Sequence, residues 1–452
     1  MHGHPFSTVK SVRGFAAAGL LAMALTELTG MAELRASEPW TLGRAVETAL
    51  TNNPDARLAQ HRIAAARAGQ LQANAALWPL LQFNASYGVT DNPMRVFGAA
   101  LNQNSFDFGL IEDVPDLDNF NAHGLVVMPL YRGGQIRAGR RESAARLDAA
   151  RSADLAVRRA LAFEVARTFF TLQKTRAFIQ ATESAVQAFE ANLAVATKRQ
   201  AAGTALKTEA LDVEVRLAEA RENLVRSRNA DALARQALGN LLAVDEPVTE
   251  LDLATPEMVA PPPGTPVRRS ELQAAEQQRQ AAEAALARAK GGRMPSVNAF
   301  GRYDYDHGWR YNGGGGSYAA GVELQWNLWD GQLTRGRVQE AQAALDTALE
   351  QERKLHLAID LEVAQARLYL QEAEQRLEVT SRATAQAEES AALTRARFEQ
   401  GLAISTQLIE AETALTAARV RRAEAESGRR VAVSALRRAL GLPQLSGLEP
   451  EP

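Results

Sequence analysis

The chain has 452 residues, of which 46% are hydrophobic, 23% are charged and only 6% are aromatic. Its 51 basic side chains nearly balance 53 acidic ones, so we predict no nucleic-acid partner, because polyanion binders need a strongly basic surface. No cysteine is present, which excludes disulfide frameworks, cysteine-ligated metals, thiol catalysis and a lipid anchor on cysteine. Many alanines and few aromatics favour long packed helices over a thick mixed core.

Residues 1–36 are predicted to be a signal peptide. Lys10 and Arg13 give a positive start, and the apolar run over residues 15–25 has the length of a signal-peptide core rather than of a membrane-spanning helix. The alternative is an amphipathic N-terminal helix of the folded protein. Because the run is apolar on all faces, it favours the signal peptide and therefore an exported protein.

Proline positions divide the rest of the chain into two helical halves. No proline lies between Pro129 and Pro247 or between Pro295 and Pro443, and a proline inside a helix costs about 3 kcal/mol. The stretch between the halves is rich in proline and can form neither a helix nor a central strand. The predicted units are a first structural repeat at 37–246, a linker at 247–267, a second repeat at 268–442 and a C-terminal tail at 443–452.

The two halves repeat one pattern of apolar residues. A seven-residue step is typical of helices in coiled-coil contact, and the same step recurs in the second half. We predict two antiparallel helical hairpins, at 134–242 and 332–440, with tips near Gly203 and Gly401, where glycine suits a left-handed helix end. The matched positions are Val165, Leu172, Ile179, Val186 and Leu193, followed by Val363, Leu370, Leu377, Thr384 and Ala391.

Four segments alternate apolar and polar residues with period two, at about 80–90, 120–130, 296–306 and 317–328. A tilted membrane strand needs about nine to eleven residues, but a half-buried sheet in a soluble protein shows the same alternation. The predicted signal peptide and the duplication favour membrane strands over a sheet in a soluble protein. Because four strands cannot close a barrel and lipid does not tolerate open sheet edges, several chains would share one barrel. The connections at 91–119 and 306–316 are then predicted to be outward-facing loops.

The residues that usually carry chemistry form no recognisable site. The histidines are scattered singly, without the spacing of metal ligands. Gly134 and Gly139 have the separation of a phosphate-binding loop but are followed by arginines instead of the lysine and hydroxyl residue that such a loop requires. The sequence therefore predicts no enzyme, no cofactor and no bound metal.

Acidic residues just beyond the two hairpin tips are the exception. Glu209 and Asp212 follow the first tip, and Glu410 and Glu412 follow the second. Repeated around a symmetry axis, they could form charged rings that select cations or hold the tip shut. The other interpretation is an ordinary helix start, because acids near a helix N-terminus interact favourably with its dipole. Both interpretations stay open.

Short motifs occur in the same order in both halves. They are PLYRGG at 129–134 and NLWDG at 327–331 between strand and helix, Asn53-Pro54-Asp55 at a helix start, Trp78-Pro79 and Met294-Pro295 before strands, and the glycines of the two tips. Together they resemble the TolC family of outer-membrane channel proteins over essentially all of the mature sequence. Arg132, where the family usually has Asp, and one glycine fewer after Asp330 depart from the family's pattern.

The resemblance implies a mainly α-helical fold with a membrane β-barrel portion. In that fold a duplicated unit of two strands and a long helical hairpin forms a homotrimer, whose twelve-stranded barrel continues into a periplasmic α-helical tunnel. Strand-to-helix turns are implied at Gly133, Gly134, Asp330 and Gly331. The implied candidate periplasmic gate consists of Glu209, Asp212, Gln407 and Glu410, in which Gln407 occupies an offset where an acid is common.

The resemblance also implies partners. These are outer-membrane lipid, a periplasmic adaptor (membrane fusion) protein and an inner-membrane RND or ABC transporter. The adaptor contact is expected at the tips, through Gly203, Leu206, Gly401 and Ile404. The expected function is a passive exit duct in the outer membrane, extending into the periplasm, for a tripartite efflux pump or a type I secretion system. The alternative is a soluble periplasmic coiled-coil adaptor or scaffold, which would keep the hairpins but bury its sheet.

Overall fold

The computed structural model describes residues 39–111, 114–244, 248, 251–252 and 258–445. The predicted signal peptide and residues 446–452 of the predicted tail lie outside the described residues. Among the described residues, no helix is long and apolar enough to cross a membrane.

In chain order the elements are α1 (Leu42–Asn52), α2 (Pro54–Ala75), β1 (Leu80–Thr90), α3 (Pro93–Asn102), β2 (Leu117–Arg132), α4 (Gln135–Ala201), α5 (Lys207–Leu242), α6 (Ser270–Gly291), β3 (Ser296–Gly308), β4 (Gly313–Gln325), α7 (Leu333–Glu399) and α8 (Ser405–Leu440).

The two halves of the chain have the same architecture. The long helices α4 and α7 contain 67 residues each, and the returning helices α5 and α8 contain 36 each. At 1.5 Å per residue, each long helix extends about 100 Å. The hairpins turn at Gly203 and Gly401, whose φ angles of +71° and +76° are left-handed values that glycine adopts at low cost. The predicted duplication is therefore confirmed.

Helix α4 is the centre of the helical packing. It contacts α2, α5, α6 and α8, while α7 packs against α8 and α6. The largest core cluster lies where α1 meets the middle of α4, and it includes Phe169 and Phe170, both fully buried. Burying one such side chain contributes about 1.5–3 kcal/mol, so this cluster fixes the first hairpin to its neighbours at mid-length.

The strands form one antiparallel sheet in the order β1-β2-β3-β4. The pairing of β2 with β3 joins the strands of the first repeat to those of the second. Within the described chain, β1 and β4 each have a neighbour on one side only. The sheet therefore has two open edges.

Three strands differ from their predicted bounds. β3 continues to Gly308 instead of ending at 306, so the predicted connection at 306–316 is reduced to 309–312. β2 is longer than 120–130, and β4 occupies 313–325 instead of 317–328. The glycines at 313–316 show no alternation of side chains, so the sequence pattern misses them, yet their backbones pair with residues 305–308. At the other end the last pair is Ser296 with Gln325, because Pro295 comes before Ser296 and has no N–H to extend the ladder.

Candidate channel wall and hairpin tips

The sheet separates its side chains into an apolar face and a polar face. Residues directly opposite each other in antiparallel strands share a face, which places Phe83, Tyr303 and Tyr318 in one row. Phe83 is 75% exposed and Tyr318 is 84% exposed, and Val322 on the same face is 66% exposed. These fractions mean that no other part of the described chain covers these apolar side chains, and at the end of the sheet away from the helices only Trp309 packs on this face, against Tyr87 and Phe120.

The polar face carries hydrogen bonds that cross the first three strands. Asn84 Nδ2 lies 3.2 Å from His123 Nε2, and His123 Nδ1 lies 3.0 Å from Asn121 Oδ1. The side-chain amides of Asn119 and Asn121 donate to Asp306 Oδ1 at 2.6 and 3.1 Å. A polar face opposite an exposed apolar face is the arrangement of membrane-barrel strands, which have lipid on one side and water on the other.

The first strand-to-helix turn contains two glycines in left-handed conformation. Gly133 and Gly134 have φ angles of +56° and +80°, and α4 begins at the next residue. A Cβ atom on Gly133 would lie 2.3 Å from the backbone oxygen of Gly291 and 2.6 Å from Met294 Cβ, whereas one on Gly134 would meet nothing within 4 Å. Gly133 therefore allows this turn to pack against the turn from α6 into β3.

The second strand-to-helix turn has Gln332 where the first turn has its second glycine, and side-chain hydrogen bonds hold the turn in place. Gly331 has φ +64°, and Gln332 adopts φ +71° at the position that corresponds to Gly134. Asp330 Oδ2 accepts the Thr334 backbone N–H at 2.9 Å and the Thr334 hydroxyl at 2.5 Å. These bonds to the ionised carboxylate lower the pKa of Asp330. The glycine that is missing after Asp330 is thus compensated by a side chain that caps the start of α7.

The two hairpin tips lie against each other. The guanidinium of Arg199 lies 5.1 Å from the ring centroid of Phe398, and its Nη1 donates to the Phe398 backbone oxygen at 3.4 Å. Leu206 and Ile404, which precede α5 and α8, are 69% and 58% exposed. The tips therefore present exposed aliphatic side chains at the end of the molecule farthest from the sheet.

The residues of the candidate gate lie in the first two turns of α5 and α8. Glu209 Oε1 accepts the backbone N–H of Leu206 at 3.4 Å, which is the bond of a helix-start residue. Asp212, Gln407 and Glu410 are exposed. The fold brings all four residues to the same end of the molecule, and the described contacts join none of them to another.

Glu412 differs from the other tip acids, and its inclusion among charged-ring residues is corrected. Its side chain is only 3% exposed, and Oε1 accepts from Arg395 Nε at 2.9 Å and Nη2 at 2.6 Å. This ion pair joins α7 to α8 just behind the second tip, so the carboxylate does not point into a channel. The sequence offers only a weak signal for this pair, an arginine six residues before Gly401 and an acid eleven residues after it on the returning helix.

Comparisons with known proteins agree with this architecture. The family described as outer membrane efflux protein matches residues 45–244 and 266–442. The solved outer-membrane channel OprN is 22% identical, with TM-score 0.78, covering 90% of this chain and 91% of that chain. VceC of Vibrio cholerae is 21% identical, with TM-score 0.76, covering 89% of this chain and 97% of that chain. CmeC of Campylobacter jejuni is 15% identical, with TM-score 0.77, covering 90% of this chain and 87% of that chain.

At these sequence identities, similarity to the solved structures shows the fold alone. No curated protein matches the chain. The family match, by contrast, includes the strands and hairpins of both halves and leaves out residues 245–265 between them. This chain therefore belongs to the outer membrane efflux protein family and has the fold of the TolC-like channels.

Proposed function

We propose that this protein is the outer-membrane exit duct of a tripartite efflux pump or a type I secretion system. The observation that carries the proposal is the direct continuation of a sheet with one apolar and one polar face into helical hairpins about 100 Å long. The sheet would lie in the outer membrane, and the hairpins would extend into the periplasm. Substrates would pass through without chemical change.

Three copies would complete the membrane part. The open edges β1 and β4 carry unpaired backbone groups, which cost several kcal/mol each in lipid. β1 and β4 run in opposite directions, so β1 of one copy can continue the antiparallel order by pairing with β4 of the next. Three chains of four strands then close a twelve-stranded barrel with threefold symmetry, in which no edge remains.

The soluble adaptor or scaffold is disfavoured by the same sheet. Such a protein would have to cover the apolar face, yet Leu324 is 65% exposed and Phe83 and Tyr318 are more exposed still. Exposed apolar surface of this extent marks an interaction with lipid or another chain. Fractionation separates the two functions: the duct stays with the outer membrane until detergent is added, whereas an adaptor of this kind is released into aqueous buffer.

Conductance in a planar lipid bilayer tests the duct itself. Detergent-purified protein is expected to run as a trimer on native electrophoresis and to insert in discrete conductance steps. Monomeric protein that leaves the bilayer silent would contradict the proposal. Heat-denatured protein from the same preparation serves as the control for detergent effects.

The partners proposed for the duct follow from its tips. Leu206 and Ile404, next to Gly203 and Gly401, offer the exposed aliphatic surface that a helical hairpin of a periplasmic adaptor would bind. The adaptor would connect the duct to an inner-membrane RND or ABC transporter, which supplies the energy. Cross-linking from a cysteine placed at Leu206 or Ile404 would identify the adaptor, because the natural chain has no cysteine to compete.

The half-buried Glu209 and the exposed Asp212 and Glu410, with Gln407 beside them, form the proposed periplasmic gate. In a trimer the three acids give nine negative charges around one opening. At a separation of about 10 Å in water, each negative charge attracts a monovalent cation by about 0.4 kcal/mol. The nine charges together can therefore raise the ratio of cation to anion permeability severalfold.

Neutralising the three acids together tests the gate. The variant Glu209→Gln, Asp212→Asn, Glu410→Gln is expected to lower the ratio of cation to anion permeability severalfold, measured as the reversal potential across a salt gradient. Glu424→Gln is the matched control, because Glu424 is an exposed acid on α8 about 20 Å farther from the tip. Unchanged selectivity and conductance in the triple variant would leave these acids as helix-start residues only.

A further inference from the structure

The connection between β1 and β2, predicted as an outward-facing loop at 91–119, lies at the end of the sheet away from the helices, and instead of extending from the sheet it folds back over it. Within it, α3 buries Val96 and Ala100 against Leu110 and Leu117. Helix α3 also contacts β2 and β4. We call residues 93–110 the inward segment. The turn that follows α3, at 102–105, makes its closest contacts with the sheet.

Three glycines of the β3–β4 hairpin make room for this turn. A Cβ atom on Gly315 would lie 2.2 Å from the backbone oxygen of Asn102, and one on Gly313 would lie 2.5 Å from the backbone oxygen of Gln103. A Cβ atom on Gly308 would lie 2.2 Å from Gln103 Oε1. Any other residue at 313 or 315 would collide with the backbone and push the turn away, whereas one at 308 would displace the Gln103 side chain.

Hydrogen bonds hold the turn in place. Gln103 is fully buried, and its Nε2 donates to the backbone oxygen of Asp118 at 2.8 Å and to Asn119 Oδ1 at 2.9 Å. Asn104 Nδ2 donates to the backbone oxygen of Gly314 at 3.2 Å. The turn is therefore bound to β2 and to β4, and each such bond contributes about 0.5–1.5 kcal/mol.

The inward segment lies on the polar face of the sheet. Gly315 is opposite Asp306, and Asp306 is opposite Asn121, which places the glycine in the polar row. The contacts also lie at the end of the sheet away from the helices, where β1 ends and β4 begins. In the duct proposed above, on which this inference rests, the polar face lines the lumen and this end is the outer mouth.

We propose that the inward segments of three copies form a plug that narrows the outer mouth and limits the size of the cargo that passes. Twelve strands about 4.8 Å apart and tilted by about 40° close a barrel about 24 Å across. A helix with its side chains is about 10–12 Å thick. Three segments of that thickness on the inner wall occupy most of the mouth, so cargo leaves when the turns at 102–105 release the sheet.

Labelling of a single cysteine inside the barrel tests the plug. Gln82→Cys supplies the reporter, because Gln82 is exposed on the polar face nearer the helical end of β1, and no natural cysteine interferes. A small maleimide and a bulky polyethylene-glycol maleimide are compared on intact cells. Gly315→Val displaces the turn, and Gly88→Val is the matched control: Gly88 lies on the polar face near the same end, and a Cβ there meets nothing within 4 Å.

The bulky reagent is expected to react with Cys at position 82 about tenfold faster when Gly315→Val is added than in the Gln82→Cys parent. A tenfold change corresponds to a loss of about 1.4 kcal/mol in the free energy with which the turn docks on the sheet. Gly88→Val should label like the parent, and the small reagent should label all three alike. Gln103→Ala removes the anchor without a clash, so it should also accelerate bulky labelling if Gly315→Val does not fold.

Two results would overturn the proposal in distinguishable ways. If folded trimers of the displacement variants react with the bulky reagent at the parent's rate, the segment does not restrict the mouth, and the duct is unaffected. If the small reagent fails to label residue 82 in the parent, the polar face lines no aqueous lumen, and the duct fails together with its plug.

Discussion

Gly133→Ala is expected to prevent assembly of the protein, whereas Gly134→Ala should leave most of it assembled. Both glycines have positive φ angles, and the backbone strain of a non-glycine residue at such an angle destabilises the fold by about 1–2 kcal/mol relative to glycine. Only at Gly133 does a Cβ atom also collide, at 2.3 Å from the backbone oxygen of Gly291. Overpacking of this kind adds about 1–3 kcal/mol, and neither backbone can move without shifting its strand.

The contact is reciprocal, which makes the expected effect large. A Cβ atom on Gly291 would lie 2.5 Å from the backbone oxygen of Gly133. The turn from β2 into α4 and the turn from α6 into β3 therefore fix each other where the sheet meets the helices. A change at either glycine would alter the direction in which α4 leaves the sheet.

The measurement is the amount of trimer in the outer-membrane fraction, together with the denaturant midpoint of the purified protein by circular dichroism. Gly331→Ala is a second control, since Gly331 has φ +64° and open space around it. We expect it to behave like Gly134→Ala. Equal yields and midpoints for the Gly133 and Gly134 variants would show that the close contact with Gly291 does not govern assembly.

Phe83→Arg should strongly reduce insertion into the outer membrane, whereas Ser86→Arg should be tolerated. Phe83 and Ser86 lie on opposite faces of β1, and both are exposed in the single chain. An arginine facing lipid near the middle of the bilayer costs about 2–4 kcal/mol, and a trimer carries three of them. On the polar face the guanidinium remains in water.

The readout for both variants is trimer recovered from outer membranes, compared with total protein in the cell. Because the two substitutions introduce the same side chain three residues apart, differences in synthesis or export are matched. If trimer is recovered from outer membranes for Phe83→Arg but not for Ser86→Arg, the assignment of the two faces is reversed. Similar recovery of both would mean that the apolar face does not contact lipid.

Much of the architecture is readable from local patterns. The proline-free blocks and the seven-residue step predict the long helices, because helix formation depends on neighbours a few residues apart. Glycine at 203 and 401 predicts the hairpin tips for the same local reason. Alternation predicts the strands except where glycine removes the pattern, as at 313–316. The order of motifs such as PLYRGG and NLWDG indicates the family.

The site residues divide differently. Gly133 and Gly134 look alike in the sequence, and only the packing of Gly291 against one of them separates their roles. Glu412 looks like its neighbour Glu410, but the return of α8 along α7 buries it against Arg395. Side chains of one chemical type thus acquire different functions through contacts that no local pattern encodes.

By itself, the sequence determines the duplicated unit, the hairpins with their tips and membership of an efflux channel family, since each depends on periodicity or on short motifs. The tertiary structure decides which face of the sheet is covered and by what. The turn at Gln103 and the glycines at 308–315 that receive it lie about 200 residues apart in the chain. They meet only because β2 pairs with β3, and that long-range pairing places the inward segment on the polar face.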